Sequence, residues 1–464
     1  MSWDRQPLGS ICDIVSGITK DSKKQGDDYR EVPYLRVANV QRLRLDLSEV
    51  KTIPARESAI ASYRLEPGDI LLNEGGDRDK LGRGWIWQGQ ISECIHQNHV
   101  FRARIRDGQA LPKWIAYFAN TNEARAYFLA TAKQTTNLAS ISKKNLSALP
   151  VPLPPVEVQE SIVAEIDTQL SLVDETVATL QAIQAKLKQA RASILKAAVE
   201  GRLVETEAEL EGTSADAISS AATLMTQISI HRNHKLKDAG KSIRPRKSIR
   251  APLMLKDNER LNPPGWVRAT VDSLCWDSDY GTSAKCTYEN QGCPVLRIPN
   301  IAEGKLDLVD IKRASESTEF KCTSILQPGD FLFIRTNGSL DVIGRGCVIQ
   351  NELKERTSFA SYLIRLRLLG DGDLWRWFSL VWSSHLIRKS ILSVCKSSAG
   401  QNNISLSTVK GFEIPVPPTY DIRRILREVD RRLSVLDQVE ATVNASLRRC
   451  GQLRQAVLKR AFGG

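Results

Sequence analysis

Tyr34-Leu35-Arg36-Val37-Ala38-Asn39-Val40 opens a stretch, residues 34–51, that returns at 295–312 as Val295-Leu296-Arg297-Ile298-Pro299-Asn300-Ile301. Arg36 and Arg297 are 261 residues apart, as are Asp69 and Asp330, which end two Leu-x-Pro-Gly-Asp turns. The offset has risen only to 263 at the Pro-Pro pairs that begin at Pro154 and Pro417. The sequence therefore predicts two copies of one domain. We expect a pseudo-two-fold molecule, which suits a partner that also has two ends.

Length and charge limit the class of protein. The 464 residues are enough for two or three domains, each with its own core. Lys and Arg number 65 against 53 Asp and Glu, a net charge of +12, which favours a polyanionic partner but is also common in ordinary cytosolic proteins. The sequence has no apolar stretch typical of a signal peptide or a membrane span, so we expect a soluble, cytoplasmic protein.

Each copy begins with a region of about 150 residues in which short apolar runs alternate with glycine-rich turns and helical stretches, around Lys113–Thr131 and Leu374–Val394. This pattern predicts two compact α+β domains, at residues 1–155 and 264–418. A proline cluster ends each of them, at 150–155 and 415–418. Because proline disfavours helix before it and starts one well, we expect stiff hinges there.

A long helix follows each hinge, at 156–201 and 419–464, and carries a strict heptad seam. Nine of eleven seam positions in each helix are apolar or Cys, and Arg191 and Arg454 fall at the same place. A narrow apolar stripe of this period predicts a coiled coil between the two helices. We expect antiparallel packing, because parallel packing would require the linker at 202–263 to run the whole length of the rod. The predicted seam residues are Ile166, Leu170, Val173, Val177, Leu180, Leu187, Ile194, Val429, Leu433, Leu436, Val443, Leu447 and Val457.

The linker is acidic at its start, then rich in Ala and Ser, and then strongly basic. Eight Lys or Arg against one Asp between His231 and Arg250 give that run a net charge of +7. Such a run is usually a solvated tether, and that is the expected role. The alternative is contact with phosphates or with a partner subunit.

No enzyme signature is present. The chain has no Gly-x-x-x-x-Gly-Lys-Ser/Thr phosphate loop, no Gly-x-Ser-x-Gly elbow and no His-Glu-x-x-His pair. Asn262-Pro263-Pro264-Gly265 resembles a methyltransferase motif but lacks its aromatic residue, so we interpret it as a turn. Cys94, His96 and His99 have metal-like spacing, yet the second copy offers nothing comparable, so packed polar residues are expected and no metal site is predicted. Nine scattered cysteines indicate reduced thiols.

Polar, glycine-interrupted loops recur at matching places in both copies, while the residues in the loops differ. One pair follows each Pro-Gly-Asp turn, at 73–80 and 335–341, and a second pair precedes each proline hinge, at 133–144 and 396–405. Two readers of different base sequences would show this pattern, because Arg, Lys, Asn, Gln and Glu read base edges. Ordinary polar turns are the alternative. The candidate DNA-binding residues are Arg36, Asn39, Asn73, Glu74, Gly75, Gly76, Arg78, Lys80, Arg83, Lys133, Gln134, Thr135, Thr136, Asn137, Ser142, Lys143 and Lys144 in the first copy, and Arg297, Asn300, Arg335, Thr336, Asn337, Gly338, Ser339, Arg345, Lys396, Ser397, Ser398, Gln401, Asn402, Asn403 and Ser405 in the second.

The whole chain resembles the specificity subunit of a type I restriction-modification system. The resemblance rests on the tandem domains, each with a Pro-x-Pro-Pro cluster and a long helix, and on the Leu-x-Pro-Gly-Asp turns. In the second copy Arg335-Thr336-Asn337-Gly338-Ser339 and Gly400-Gln401-Asn402-Asn403-Ile404-Ser405 match the family, whereas the first copy departs at 73–76 and 135–142.

The resemblance implies a fold and a role. The fold would be α+β, with two tandem target-recognition domains joined by two long helices packed as an antiparallel coiled coil, in pseudo-two-fold symmetry. The chain itself would be non-catalytic, each domain would read half of a bipartite site in double-stranded DNA, and the helices would act as a ruler. Two methyltransferase (modification) subunits and motor-nuclease (restriction) subunits would bind it and use S-adenosylmethionine, ATP and Mg²⁺. The alternatives are a coiled-coil interaction scaffold without DNA and, less in keeping with the missing motifs, a stand-alone nuclease or methylase.

Overall fold

The computed structural model describes residues 3–19, 28–106, 108–134, 139–206, 221–240, 263, 265–398 and 400–463. The chain forms two compact units, of which unit 1 contains residues 1–183 and 442–464 and unit 2 contains residues 184–441. These bounds cut through both long helices. Each unit therefore contains one predicted globular domain, part of the helix that follows it and the far end of the other long helix.

Unit 1 contains a four-stranded antiparallel sheet, in the strand order Cys12–Ser16, Val100–Ile105, Ile70–Asn73 and Gly84–Ile86. A three-stranded mixed sheet has the order Ile95–His96, Tyr29–Leu35 and Lys51–Arg56. The other strands are Arg5–Pro7, Val40–Gln41, Arg44–Leu45, Gly75–Gly76, Lys133–Gln134, Ala139–Ser140 and Pro150–Pro152. The helices are Leu8–Ile11, Glu57–Tyr63, Arg78–Lys80 (3₁₀), Pro112–Ala119, Asn122–Thr131, Lys143–Ser147 and the first long helix, Val156–Val199.

Unit 2 repeats the two sheets. The antiparallel sheet has the order Cys275–Tyr280, Leu363–Leu368, Asp330–Ile334 and Gly346–Val348, and the mixed sheet has the order Lys312–Arg313, Pro294–Leu296 and Ser358–Phe359. The other strands are Val267–Thr270, Thr336–Asn337, Lys396–Ser398, Gln401–Asn403 and Glu413–Val416. The helices are Ala221–Asp238, Val271–Leu274, Ile298–Asn300 (3₁₀), Cys322–Ser324 (3₁₀), Gly372–Trp382, His385–Val394, Leu406–Lys410 and the second long helix, Thr419–Phe462.

The strand after each Pro-Gly-Asp turn is buried on both faces of its sheet. In unit 1, Ile70 and Leu72 belong to one apolar cluster and Leu71 to another. In unit 2, Phe331 and Phe333 face the main core, whereas Leu332 and Ile334 face a second cluster. Burial on both faces explains why these strands are continuous apolar runs instead of alternating ones.

Each predicted helical stretch in the globular domains is two helices. The first stretch breaks after Ala119, where Thr121 caps the next helix by accepting a hydrogen bond from the Ala124 amide at 3.1 Å. The second breaks after Trp382, where the Ser384 hydroxyl donates to the Val381 carbonyl at 2.6 Å. Small polar residues bond the backbone locally and so end a helix that apolar spacing alone would continue.

The proline clusters form strands as well as preceding the long helices. Pro150–Pro152 pairs antiparallel with Arg5–Pro7, and Glu413–Val416 pairs with Val267–Thr270. A buried tryptophan ties each of these strands to its domain, because Trp114 and Trp377 each donate an indole hydrogen bond of 2.8 Å, to the carbonyls of Pro152 and Pro415. These segments are therefore parts of the domains and more than hinges.

The long helices bury the predicted seam. All thirteen predicted seam residues are buried or half-buried, whereas most residues between them are exposed. Within unit 1, Arg454 pairs with Asp174 and Arg460 lies 3.7 Å from Glu165. Within unit 2, Arg191 pairs with Asp437 and with Glu440 at 2.6 Å. Each seam arginine thus finds a carboxylate on the other long helix, and such a charged residue in an apolar seam favours one register over others.

Part of the linker is a helix packed on unit 2. Ala221–Asp238 buries Ile228 in the main core of that unit, with Leu224 and Met225 packed against it. Arg232, the first cation of the basic run, donates to Asp272 at 3.3 Å. Within the run, Arg232 is therefore paired, whereas Lys235 and Lys237 are exposed. The later cations, Lys241, Arg244, Arg246, Lys247 and Arg250, lie outside the described residues.

No described helix is both long and apolar enough to cross a membrane. In the parts of the chain that the structure describes, no group of three or more His, Cys, Asp or Glu side chains could hold a metal ion. His96 is buried and its Nδ1 lies 2.7 Å from the Val100 carbonyl, while His99 lies 2.7 Å from Glu74. These two histidines thus have separate partners inside unit 1.

Candidate nucleic-acid interface

The two predicted loops of each domain meet in a small three-stranded sheet. In unit 1, the first loop sheet has Ala139–Ser140 in the middle, paired with Gly75–Gly76 on one side and Lys133–Gln134 on the other. In unit 2, the second loop sheet has Gln401–Asn403 in the middle, between Thr336–Asn337 and Lys396–Ser398. Loops that are far apart in sequence therefore form one polar surface in each unit.

Backbone hydrogen bonds show which residues occupy equivalent positions at this surface. The Glu74 amide donates to the His99 carbonyl at 3.0 Å, and the Ile141 amide donates to the Glu74 carbonyl at 2.9 Å. The Arg335 amide donates to the Tyr362 carbonyl at 3.0 Å, and the Ile404 amide donates to the Arg335 carbonyl at 2.9 Å. The same frame thus carries a carboxylate in unit 1 and a guanidinium in unit 2.

Arg335 is half-buried and held from two sides. Its guanidinium lies over the ring of Tyr280, 4.8 Å from the centroid, and its Nε is 3.5 Å from Asn403 Oδ1. Tyr280 is 41% exposed, so the pair stands at the surface. A guanidinium supported by an aromatic face keeps a defined direction while its remaining donors stay available to a ligand.

Glu74 in the first loop sheet has a different support. Its carboxylate lies 2.7 Å from His99 Nδ1, and the two side chains are 28% and 57% exposed, respectively. The pair can accept as well as donate hydrogen bonds, whereas Arg335 can only donate. The two units therefore offer different hydrogen-bonding patterns to whatever they contact.

Three predicted DNA-binding asparagines are buried and hydrogen-bonded inside their own units. Asn39 and Asn300 are buried, and each accepts from the amide three residues before it and donates to two carbonyls of the following loop. Asn73 is also buried and donates to the Val40 carbonyl at 2.9 Å. Asn39 and Asn300 therefore hold their loops in shape, whereas the buried Oδ1 of Asn73 has no hydrogen-bond partner among the described residues.

Other candidates contribute to the frame of the loops. Ser142 and Ser405 cap short helices by accepting from the amides of Asn145 and Thr408. Asn402 is 9% exposed and donates to the Gly338 carbonyl at 3.0 Å, joining the two loops of unit 2. Arg83 pairs with Asp79, and Lys80 with Asp77. Arg345 donates to the Asp341 carbonyl at 2.8 Å.

The other exposed candidates include Lys133, Lys143 and Lys144 beside the first loop sheet, and Gly338, Ser339, Ser397, Gln401 and Asn403 in the second. The capping residues Ser142 and Ser405 and the loop residue Arg345 are exposed too. Arg78 is exposed as well, and Gly75, Gly76, Thr336 and Asn337 are half-buried. Thr135, Thr136 and Asn137 lie outside the described residues, and the side chains of Gln134, Lys396 and Ser398 are not described.

Four residues near the surface were missed by the sequence predictions. Tyr280 and His99 support Arg335 and Glu74, and no local pattern marks them as partners. Tyr288 and Lys312 lie close together, with Lys312 Nζ 4.8 Å from the centre of the Tyr288 ring. Lys312 could have been found, because it ends the repeated stretch and matches Lys51 in the first copy.

The chain is similar in sequence to known DNA specificity proteins. Residues 2–189 match the family described as the type I restriction modification DNA specificity domain. The chain is 25% identical, over its full length and 89% of the relative, to the type I restriction enzyme EcoKI specificity subunit of Escherichia coli strain K12. It is 24% identical, with the same coverage, to the StySPI specificity subunit of Salmonella potsdam.

A solved structure extends the likeness to the fold. It is described as the structural basis underlying complex assembly and conformational transition of the type I R-M system. The match covers 99% of this chain and 97% of that one, with a TM-score of 0.59 and 16% identity.

Residues 2–189 match the class of DNA specificity domains. The resemblance to type I restriction-modification specificity subunits, predicted from the motifs, is confirmed over the whole chain and is favoured over a scaffold without DNA.

Proposed function

We propose that this chain is the DNA-reading subunit of a type I restriction-modification complex and that each unit reads one half of a bipartite, asymmetric site. One observation carries the proposal: equivalent backbone frames present Glu74 in unit 1 and Arg335 in unit 2. A repeated frame with different readers is what two different half-sites require, because the frame sets position and the side chains set sequence.

The chemistry of the two positions matches base edges. A guanidinium donates to O6 and N7 of guanine, and a carboxylate accepts from N4 of cytosine. Exposed lysines beside the first loop sheet, Lys133, Lys143 and Lys144, suit contacts to phosphates. Base readers and phosphate contacts would thus come from adjacent loops of one surface.

The long helices would set the gap between the half-sites as an antiparallel coiled coil, with the two target-recognition domains in tandem along the chain. Support comes from the buried heptad seam and from two ion pairs, Arg454 with Asp174 and Arg191 with Asp437. From Asp174 to Arg191 the first helix runs forward in sequence, while its partners on the second helix run backward, from Arg454 to Asp437. Each added base pair moves the second half-site about 3.4 Å and turns it by about a tenth of a turn. A ruler of fixed length would therefore make spacing part of the specificity.

Catalysis would belong to partners. We propose that two methyltransferase (modification) subunits bind this chain and are joined by motor-nuclease (restriction) subunits, which use S-adenosylmethionine, ATP and Mg²⁺. The chain would itself be non-catalytic. Purified full-length protein is then expected to transfer no methyl group from S-adenosylmethionine to DNA until a methyltransferase subunit is added.

The test is a methylome of the host with and without this gene. The expected result is one bipartite motif, methylated in both halves, that disappears with the gene. Binding of the purified chain to DNA that contains the motif should exceed binding to a scrambled duplex and should weaken steeply between about 50 and 200 mM salt. A methylome that did not change, together with equal affinity for both duplexes, would favour the scaffold interpretation.

A further inference from the structure

A cationic cavity lies next to Arg335 in unit 2. Its volume is about 260 Å³, and its lining includes Thr282, Ser283, Arg297, Lys312, Ser361 and Tyr362. The Tyr362 carbonyl accepts the Arg335 amide at 3.0 Å, and Tyr280, which supports the Arg335 guanidinium, precedes Thr282 by two residues. The cavity therefore adjoins the surface of the proposed base reader.

The cavity concentrates positive charge. Arg297 and Lys312 both face the ring of Tyr288, at 5.8 and 4.8 Å from its centroid. Asp310 accepts from Arg297 Nη2 at 3.1 Å, while the buried Nε of Arg297 has no hydrogen-bond partner among the described residues. Burial raises the pKa of the Cys286 thiol in the lining, and both cations act in the opposite direction. Among the described residues, the lining itself thus holds two cations and no carboxylate, while Asp310 and the exposed Glu289 interact with Arg297 and Lys312 from outside it.

The same two cations recur in unit 1. Arg36 and Lys51 are the counterparts of Arg297 and Lys312, 261 residues earlier, and the buried Nε of Arg36 likewise finds no hydrogen-bond partner in the part of the chain that the structure describes. The base-reading position, by contrast, differs between the units. A contact that is kept while its neighbouring reader changes fits a feature that every DNA half-site shares, which is the phosphate backbone.

We infer that this cavity seats a phosphate group of the DNA backbone beside the bases contacted by Arg335. The cations supply the charge, and the hydroxyl groups of Thr282, Ser283 and Ser361 can donate to phosphate oxygens. The inference rests on the proposed function and adds to it a fixed anchor that sets the register of unit 2 on its half-site.

The test uses the full-length chain and DNA that contains the methylome motif. Lys312→Ala is compared with Lys321→Ala, which removes one exposed positive charge from the same unit at a residue outside the lining, and with Lys312→Arg, which keeps the charge. The expected result is a slope of log Kd against log salt that falls by about one for Lys312→Ala. Both other variants should keep the wild-type slope, and the base preference should be unchanged in all three.

A second measurement locates the phosphate. Single phosphates in the second half-site are replaced in turn by uncharged methylphosphonates. One position should weaken binding of the wild type but not of Lys312→Ala, because a lost interaction cannot be lost twice. If Lys312→Ala kept the sensitivity of the wild type at every position, the inference would fail while the proposed function stood.

A free phosphate is the other source of the same chemistry, and inorganic phosphate is the probe. Its binding to the DNA-free chain is measured by calorimetry. Saturable binding that Lys312→Ala abolishes, with an unchanged salt slope for DNA, would overturn the DNA assignment. If the wild type showed no preference for the motif over a scrambled duplex, the proposed function itself would fall and this inference with it.

Discussion

The guanidinium of Arg367 holds the carboxylate of Asp330 through two parallel hydrogen bonds, from Nε at 2.7 Å and from Nη2 at 2.8 Å. Arg104 holds Asp69 in unit 1 with the same atoms and the same distances. Both carboxylates end a Leu-x-Pro-Gly-Asp turn and are buried. The repeated turn is therefore a structural anchor, and its aspartate is bound by an arginine from the neighbouring strand.

The two anchors should differ in strength. The side chain of Arg367 is 6% exposed, whereas that of Arg104 is 31% exposed, so water can replace Arg104 more easily. Arg367→Ala removes both hydrogen bonds of this fork, leaves the buried Asp330 carboxylate with Arg365 Nε at 4.0 Å, and should destabilise unit 2 by about 1.5–3 kcal/mol. Arg104→Ala should destabilise unit 1 by less. Hydrogen exchange of the strands Asp330–Ile334 and Ile70–Asn73 measures both effects, and equal losses of protection would contradict this account.

Base preference should change one half-site at a time. Arg335→Ala should cost about 1–3 kcal/mol of discrimination at one position of the second half-site. Arg335→Lys is the matched control, because it keeps the charge but not the fork, and it should restore affinity without restoring discrimination. Glu74→Gln should alter the first half-site alone. Binding to a library of half-site variants would show the pattern, and an effect of Arg335→Ala on the first half-site would rule out one unit per half-site.

Lysines beside the first loop sheet should affect all DNA sequences alike. Lys143→Ala and Lys144→Ala should each lower the salt slope by about one and leave the base preference unchanged. Lys188→Ala, an exposed lysine on the first long helix, serves as the control with equal charge loss and should keep the slope. Titrations at several salt concentrations check this. A change of preferred base in either variant would reassign that lysine to base contact.

The gap between half-sites should follow the length of the long helices. Seven residues inserted in each helix, between Val177 and Gln184 and between Leu436 and Val443, preserve the heptad and add about 10.5 Å. The methylated motif should then gain roughly three base pairs of spacer with unchanged half-sites. Inserting five residues in each helix breaks the seam and should abolish methylation. An unchanged gap after the heptad insertion would exclude the ruler.

Acid should destabilise unit 1 through His96. Burial lowers its pKa to about 4, from an ordinary value of 6.5. Between pH 6.5 and 4 the unfolded chain therefore carries a proton on this histidine, whereas the folded chain does not. The free energy of unfolding falls by about 3 kcal/mol across this window. Below pH 4 both states are protonated, and this group lowers stability no further. Chemical denaturation across that window should show a shallower slope for His96→Gln. His234→Gln, at an exposed position, should keep the slope of the wild type.

The sequence showed the repeat, the turns and the long helices, because these depend on local spacing and periodicity. It could not show that Gly75–Gly76 pairs with Ala139–Ser140, since no local signal marks a contact across some 60 residues. Nor could it separate Asn39 from a DNA contact. An asparagine in a polar loop looks the same whether it bonds a base or the carbonyls of Asp46 and Glu49. Burial decides between these roles, and burial is a property of the whole fold.

Unit 1 combines residues from both ends of the chain, and this affects the order in which the two units fold during synthesis. Phe462 packs 4.4 Å from Trp114 and 5.5 Å from Phe118 between ring centroids, and Leu458 is buried in the same cluster. A ribosome releases Trp114 and Phe118 long before it reaches those residues, with all of unit 2 in between. Unit 2 is contiguous and can close its core as it emerges. The domain translated first is therefore the one completed last, and its exposed aromatic residues would need shelter in the meantime.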